Sequence, residues 1–424
     1  MSKKISRRNF LKTASVATTA ICAGVTPTVS EAAPAKRVVI AGGGYGGSTT
    51  AKYLKLLDPS IEVTLVDRND THVSCAMSNE VIFGHRDWDF INIPHKALAD
   101  KYGVKFVKAE VTGLDKQKKE LITSAGNIPY DKLVVAPGIA ADYDEKAGFD
   151  AEFQKEYPHA WIAGPQTLQL KKMVDKVKKG QTIIMRTPTA LYRCPPGPYE
   201  RASLFAEKAK KVGAKVIILD PNPQIMSKKP LFENGFNTIY KDVLTYIPAV
   251  KVTGWDKEKK EIITDKGNFK GDLINFVPDQ KAGQMAFDLG LVEEGKKWVT
   301  VDPTTFEAKL AKDVYVAGDA IDSGPITDMP KSGVIANGMG KIIAENIVRG
   351  FQGKKPLTPI IGNTCYSLIN KDEAIWIATV YEYDPKKKRI VVRNGANGIP
   401  AERTIENGRN LHSWAQNLLQ DTFY

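Results

Sequence analysis

Val38–Gly47 reads VVIAGGGYGG, a short apolar run that breaks into glycine. Gly42, Gly44 and Gly47 fit the spacing G-x-G-x-x-G. A helical stretch, Ala51–Leu57, follows. A second apolar strand, Ile61–Val66, ends at Asp67, twenty residues after Gly47. The first glycine permits the turn, the second admits a pyrophosphate, and the third lets helix and strand pack closely. The helix N-terminus stabilises phosphate charge, and the terminal acid accepts from a ribose hydroxyl. Strand, turn, helix and acid in this register predict a dinucleotide-binding unit.

The unit recurs within the chain. Gly113–Pro137 (GLDKQKKELITSAGNIPYDKLVVAP) and Gly254–Pro278 (GWDKEKKEIITDKGNFKGDLINFVP) are identical at 12 of 25 positions at a constant offset of 141. Each predicts two strands around a turn, Gly126-Asn127 or Gly267-Asn268, followed by an apolar strand. Ala214–Asp220 (AKVIILD) repeats the strand-to-acid pattern of Ile61–Asp67 (IEVTLVD).

The second copy departs from the first where it matters chemically. Between a strand at Thr182–Met185 and a helix at Ala202–Lys211 lies LYRCPPGPYERAS, Leu191–Ser203. Pro195, Pro196 and Pro198 each remove a backbone N–H, and phosphate cradling needs those donors. The second nucleotide site is expected to be lost, with Cys194 in its place. A third marker, Val314–Ala320 (VYVAGDA), ends a strand at Gly318-Asp319. Pro330–Ala344 is expected to open a helix with a proline near its start.

The N-terminus carries a different signal. Ser6-Arg7-Arg8-Asn9-Phe10-Leu11-Lys12 matches the twin-arginine export motif, followed by a weakly apolar segment and the small residues Ala32-Ala33-Pro34-Ala35. Residues 1–35 are therefore expected to be a cleaved signal. The mature protein would then be periplasmic, exported already folded. Residues 1–32 hold five cations against Glu31, which leaves +8 of the net +12 for the remainder. That moderately basic balance favours an acidic partner. No basic-aromatic cluster points to nucleic acid, and Lys386-Lys387-Lys388-Arg389 reads as a solvated turn. No later run reaches the roughly 18 apolar residues of a membrane span. No residue grouping predicts a metal site. Of four cysteines Cys22 leaves with the signal, so Cys75, Cys194 and Cys365 remain in an oxidising compartment. One pair leaves a cysteine over for another task.

These markers, with CPPGPYERAS, NTCYS, SNEVIFG at Ser78 and the ending SWAQNLLQDTFY, resemble one family from about Lys36 to Tyr424. It is the flavoprotein subunit of flavocytochrome c sulfide dehydrogenase, within the sulfide:quinone oxidoreductase-like flavoproteins with two dinucleotide domains. The resemblance implies an α/β fold with two Rossmann-like units, an FAD domain and a degenerate NAD-like domain, plus a C-terminal α+β domain. The FAD domain would occupy 36–143 and 291–350, the degenerate unit 144–290, and a C-terminal interface domain carrying Cys365 would occupy 351–424.

Carried over residue by residue, Cys194 and Cys365 would form a redox-active disulfide beside the flavin. Glu200 would be an acid–base group; a helix-start acid complementing the dipole is the plainer alternative. Gly42, Gly44, Gly47, Asp67, Gly318, Asp319, Lys331, Ser332 and Trp414 would contact FAD. Trp414 also falls on one helical face with Leu411, Ala415, Leu418 and Leu419, as a core residue would. Cys75 would carry a thioether to the flavin, although small and polar residues replace the aromatics expected beside it.

The implied reaction is oxidation of hydrosulfide to sulfur or polysulfide. Hydrosulfide would open the disulfide, Cys194 facing the sulfide entrance and Cys365 the flavin. No C-x-x-C-H haem motif occurs, so electrons would pass to a separate c-type cytochrome. The rivals are a sulfide:quinone oxidoreductase, a flavoprotein accessory of a sulfur-oxidation complex, and an NADH-dependent disulfide reductase. The last needs the second glycine loop that this chain lacks.

Overall fold

The computed structural model of the chain describes residues 36–424, so the export motif, its cleavage region and Cys22 lie outside the described residues. Runs of β-branched and aliphatic residues buried on both faces form parallel strands. The first sheet has five, in the order Val314–Val316, Lys132–Val135, Arg37–Ala41, Glu62–Asp67, Lys105–Lys108. All four pairings are parallel, and Ala41 aligns with both Val66 and Val135. The second sheet has four parallel strands, Leu273–Phe276, Thr182–Arg186, Lys215–Leu219 and Leu244–Ile247. Its order reproduces the first sheet without the fifth strand that Val314–Val316 supplies.

The repeated segments fold as copies. Val111–Asp115, Glu120–Thr123 and Gly126–Pro129 form a three-stranded antiparallel sheet, as do Val252–Asp256, Glu261–Thr264 and Gly267–Lys270. Both carry an irregularity at the same place, Val111/Gly113 and Val252/Gly254. The turns sit two residues earlier than expected. Thr123 pairs with Gly126, so Ser124-Ala125 form the turn and Gly126, at φ +109°, opens the next strand. The reason is the threonine: Thr123 Oγ1 donates to Gly126 O at 2.7 Å and accepts from Ala125 N at 3.1 Å. Thr264 makes the same two bonds in the second copy. The strands that leave the two copies, Ile139–Asp142 and Asp279–Ala282, pair antiparallel with each other and stitch the units together.

The degenerate unit fills its own nucleotide position. Asp220, fully buried at the end of its strand, corresponds to Asp67. It accepts from Tyr199 OH and Tyr246 OH, each at 2.8 Å, from Thr187 Oγ1 at 2.7 Å and from the side-chain and backbone nitrogens of Asn222. No lone pair is left to receive a ribose. The helix after the proline loop spans Gly197–Val212, five residues earlier than expected, because proline is tolerated in a first turn whose N–H groups have no helical partner.

Residues beyond 351 form a three-stranded antiparallel sheet, Ile360–Leu368, Ala374–Asp384 and Arg389–Gly398, and a helix, Ile405–Phe423. The lysine run lies in the exposed turn of this sheet, where Asp384 accepts from the N–H groups of Lys386 and Lys387. Helix Gly333–Phe351 packs on Tyr45–Leu57 so closely that a Cβ on Gly340 would lie 2.7 Å from the Gly46 carbonyl. Among the described residues no helix is long and apolar enough to cross a membrane.

The Asp220 cluster makes a testable demand. Asp220→Ala strands the hydroxyls of the buried Tyr199 and the half-buried Tyr246, so unfolding free energy should fall by on the order of 3 kcal/mol. Urea denaturation measures it. A loss under about 1 kcal/mol would mean that the hydroxyls find other partners.

Candidate active site

A cavity of about 260 Å³ lies where the first unit, the degenerate unit and the C-terminal sheet meet. Five segments far apart in sequence wall it: Cys75–Glu80, Arg193–Arg201, Pro330–Val334, Asn363–Tyr366, and Trp414 on the last helix. Cys194 ends the loop in the left-handed region, at φ +60°, with its N–H bonded to Lys331 O at 2.8 Å. That conformation is uncommon for a residue with a side chain. It is held by the bridge between Arg193 and Lys331 and by the Gly197 N–H, which donates to Cys194 O at 2.8 Å. Gly197 is required there, since a Cβ would stand 2.8 Å from the Cys194 sulfur.

Cys365, in the strand Ile360–Leu368, meets Cys194 across the cavity. Both are free thiols, close enough to share a hydrogen bond. The sharing is unequal. The bond from Cys194 and the nearby Lys228 ammonium hold Cys365 down to about 6, while the same bond and burial push Cys194 well up. As a dithiol the pair holds its negative charge on Cys365.

Glu200 lies one turn into the helix that follows Cys194. Its carboxylate accepts from Leu368 N at 3.1 Å and from Asn79 Nδ2 at 3.2 Å. Burial raises it to about 7, against the pull of those bonds. A carboxyl raised toward neutrality suits an acid–base role, and its place in the first turn also suits a helix-start acid. Its neighbour Arg201 is 1% exposed and spends its donors on Asn79, Asn275, His159 O and Ala160 O.

The remaining expected residues fall into three groups. Cys75, Ser332 and Trp414 line the cavity, Trp414 with its ring 5.8 Å from that of Tyr366. Ser332, not Pro330, starts its helix, accepting from Val334 N at 3.2 Å. Gly42, Gly44, Gly47 and Asp67 form the glycine loop, where Asp67 accepts from Gly43 N at 2.8 Å. Gly318 (φ +86°) and the half-buried Asp319, its carboxyl raised by burial, follow Ala317, which packs against Gly46 of the loop. Lys331 alone turns away. Its ammonium donates to Asp319 O and Ile321 O and sits 3.6 Å from the Trp298 ring centre, so it braces the Gly318-Asp319 turn instead of facing the cavity. Arg193, Arg201, Asn79 and Lys228 escaped the sequence reading. The first three stand inside motifs already singled out, whereas Lys228 sits in an ordinary charged loop that carries no signal.

Residues 167–278 match the family model described as "Sulfide dehydrogenase [flavocytochrome c] flavoprotein chain, central", and residues 357–423 match "Flavocytochrome c sulphide dehydrogenase, flavin-binding". These two matches make the chain a sulfide:quinone oxidoreductase-like flavoprotein of the flavocytochrome c sulfide dehydrogenase type. Residues 36–160 match the broader pyridine nucleotide-disulphide oxidoreductase model. A sulfide-quinone reductase of Aquifex aeolicus strain VF5 is 24% identical over 386 residues, covering 85% of this chain and 87% of that protein. A type II NADH:quinone oxidoreductase of Staphylococcus saprophyticus is 34% identical over 124 residues, 28% of this chain and 31% of that one. In fold, this flavoprotein is similar to the sulfide:quinone oxidoreductase structure from Aquifex aeolicus, with a TM-score of 0.74 at 20% identity over 92% of this chain and 91% of that one. It is also similar to a NAD-dependent persulfide reductase from A. fulgidus, at 0.60 and 14% over 90% and 77%.

The cofactor of this flavoprotein is FAD, and the residues present fit it. Gly47 admits no side chain, since a Cβ would lie 1.9 Å from Gly42 O. The helix Tyr45–Leu57 has neither a side-chain cap nor an acid in its first turn, which leaves its N-terminal N–H groups free for phosphate. Beside the loop, His72 Nε2 and both ring nitrogens of His95 are buried without a hydrogen-bond partner among the described residues, Asp67 Oδ2 standing 3.9 Å from His95 Nε2, and burial lowers the pKa of both rings. Unpaired buried nitrogens of this kind call for a polar ligand.

Two outcomes follow from this geometry. Gly47→Ala should yield protein without the visible absorbance of bound flavin, and normal flavin content would overturn the assigned cradle. Glu200 makes a pH-dependent contribution to stability. Because its pKa is raised on folding, stability is full below the unfolded value near 4.5 and is lost as pH rises through about 7. Glu200→Gln should therefore gain stability over the wild type at pH 8, on the order of 3 kcal/mol at most, and none at pH 4. Denaturation at the two pH values checks the sign.

Proposed function

We propose that this flavoprotein oxidises hydrosulfide through a Cys194–Cys365 disulfide and passes the electrons to a c-type cytochrome outside the cytoplasm. One observation carries the reading: two cysteines 171 positions apart stand side by side in one cavity, with a carboxyl of neutral pKa next to them. Hydrosulfide is a small anionic nucleophile, and an oxidised pair here is its electrophile. Its attack breaks the S–S bond, makes a persulfide on one cysteine and leaves an electron pair as thiolate on the other. Glu200 takes the proton that the hydrosulfide gives up. A second hydrosulfide then attacks the outer sulfur of the persulfide, releases a polysulfide and leaves the pair fully reduced. Bound FAD supplies an acceptor for those two electrons that can release them singly, as a haem partner requires.

The residues around the pair serve this sequence. The Glu200 carboxyl is held by Leu368 N and Asn79, which aim it without fixing its protonation. Cys75, in the same wall, is the residue assigned the covalent thioether to the cofactor. The twin-arginine motif supports periplasmic export in the folded state with cofactor inserted. A quinone acceptor is the second reading. It is favoured by the long match to a sulfide-quinone reductase, whereas the lack of a membrane-length helix among the described residues gives it no support.

Anaerobic titration with sulfide, followed by the flavin spectrum, tests the reading. The wild type should bleach or develop a charge-transfer band. Cys194→Ser should lose the response by on the order of a hundredfold or more. An unresponsive wild type would overturn sulfide oxidation by this subunit. Turnover with cytochrome c against a soluble quinone separates the two acceptors. Acid precipitation of Cys75→Ala should release free FAD where the wild type retains it, and equal release from both would remove the thioether.

A further inference from the structure

Lys228 is the buried charge that the mechanism above does not use. It is 4% exposed, and its ammonium donates to Ser367 Oγ at 2.8 Å and to Cys365 O at 3.2 Å. Its neighbour Lys229 reaches Glu233 at the surface, but Lys228 makes no ion pair with a carboxylate among the described residues. Placing an ammonium in such a site costs several kcal/mol unless an anion compensates it. The backbone pays special attention to its direction as well. Lys228 takes φ +52°, and its carbonyl caps the helix Lys229–Thr238 by accepting from Leu231 N at 3.0 Å and Phe232 N at 3.2 Å. The side chain is thereby pointed into the strand that carries Cys365.

The anions within its reach are the Cys365 sulfur, Glu200 and Cys194, in that order of influence. Reciprocally, the Lys228 charge favours the Cys365 thiolate. For Cys194, Glu200 acts in the opposite sense and disfavours a thiolate. The other charged or titratable groups in the cavity wall are Glu80, which pairs with Arg86, and Arg193, Arg201, Cys75, Asp328, Tyr366 and Tyr381. Arg201 already donates four hydrogen bonds to other partners, and Arg193 bonds Trp161 O. Lys228 is thus the cation anchored on the strand of Cys365 itself, and it treats the two sulfurs differently.

We propose that Lys228 is a positioning residue that makes Cys365 the leaving sulfur when the disulfide opens, so that incoming nucleophiles bond to Cys194. This rests on the disulfide in the reading above and adds the origin of its polarity. In thiol–disulfide exchange the sulfur that better carries negative charge departs faster. A nucleophile attacking Cys194 forms the new S–S bond there, the Cys194–Cys365 bond breaks, and the electron pair goes to Cys365 beside the ammonium. Attack at Cys365 would instead leave the charge on Cys194, off the strand on which the ammonium is anchored. The sulfane sulfur consequently resides on Cys194, and the electron-rich thiolate on the C-terminal strand.

The test uses FAD-loaded protein and a small alkyl thiol as probe, so it does not depend on sulfide being the substrate. Oxidised enzyme is mixed with the thiol, quenched by alkylation and mapped by peptide mass spectrometry. Wild type should carry the mixed disulfide on Cys194. Lys228→Gln, which keeps a donor for Ser367 and removes the charge, should divide it between both cysteines, and Lys228→Arg should restore the preference. In the reduced proteins, iodoacetamide modification of Cys365 at pH 7 should slow roughly tenfold in Lys228→Gln. Retained preference in Lys228→Gln together with an unshifted alkylation profile would overturn the proposal. If that variant does not fold, Ser367→Ala loosens the ammonium's anchor and should shift both readouts the same way by less; no shift counts against it. Failure of sulfide to bleach the wild type would instead remove the sulfide reading and leave this polarity standing.

Discussion

The Arg201 guanidinium is the fastening on which the site depends. It is buried and, among the described residues, has no carboxylate hydrogen-bonded to it. It donates four hydrogen bonds, to Asn79 from the first unit, to Asn275 from the second sheet, and to the carbonyls of His159 and Ala160 in the segment that joins them. Its cation lies 4.9 Å from the centre of the Trp161 ring, and the Trp161 indole N–H donates to Arg193 O at 3.2 Å. A planar fork that satisfies several acceptors at once fixes direction as well as distance. Burial pulls the group down to about 9, with Glu200 opposing that shift. Arg201 therefore holds the helix that presents Glu200 and, through Trp161, the loop that presents Cys194.

The two copies of the repeated unit show what was traded at that position. In the first, glycines leave backbone N–H groups open and Asp67 keeps a partly exposed carboxylate. In the second, three prolines take N–H groups away, and Asp220 is saturated by tyrosine and asparagine. The strand order is otherwise the same, so the scaffold kept its geometry while its ligand chemistry changed. A loop that once had to approach a pyrophosphate is free to carry a bulky thiol, and Cys194 sits there in a conformation that the Arg193–Lys331 bridge sustains.

Much of this was legible in the residues because it rests on local rules. Parallel strands declare themselves as aliphatic runs, and Gly42, Gly44 and Gly47 declare the tight approach of backbone to backbone. The duplication was visible in identity alone. Element ends were less so. The hairpin turns moved by two residues because Thr123 and Thr264 side chains close them, a competition between side chain and glycine that spacing does not resolve. Lys331 was misdirected because the Asp319 and Ile321 carbonyls and the Trp298 face, all brought up by tertiary folding, offer its ammonium more than the cavity does. Cys194 and Cys365 were joined only through family resemblance. Nothing local in either sequence stretch marks the other as its neighbour, and nothing at all marked Lys228.

The C-terminal helix carries a consequence for how the molecule is assembled. Lys52, in the helix after the glycine loop, donates to the carbonyls of Gln420 and Asp421, partners 368 and 369 positions away. Tyr53 and Asn337 bond the Asp421 carboxylate, and Phe423 stacks on His72 beside the loop. Closing loops of that length is slow, because chain entropy must be lost before any contact compensates it. The glycine loop and Cys75 leave the ribosome long before the strand of Cys365 and the helix that covers them. The first unit must therefore wait, with its phosphate cradle exposed, until the far end of the chain arrives. Cofactor capture and closure of the C-terminal helix then become one late event, and a chain arrested before that helix would leave the cradle open and empty.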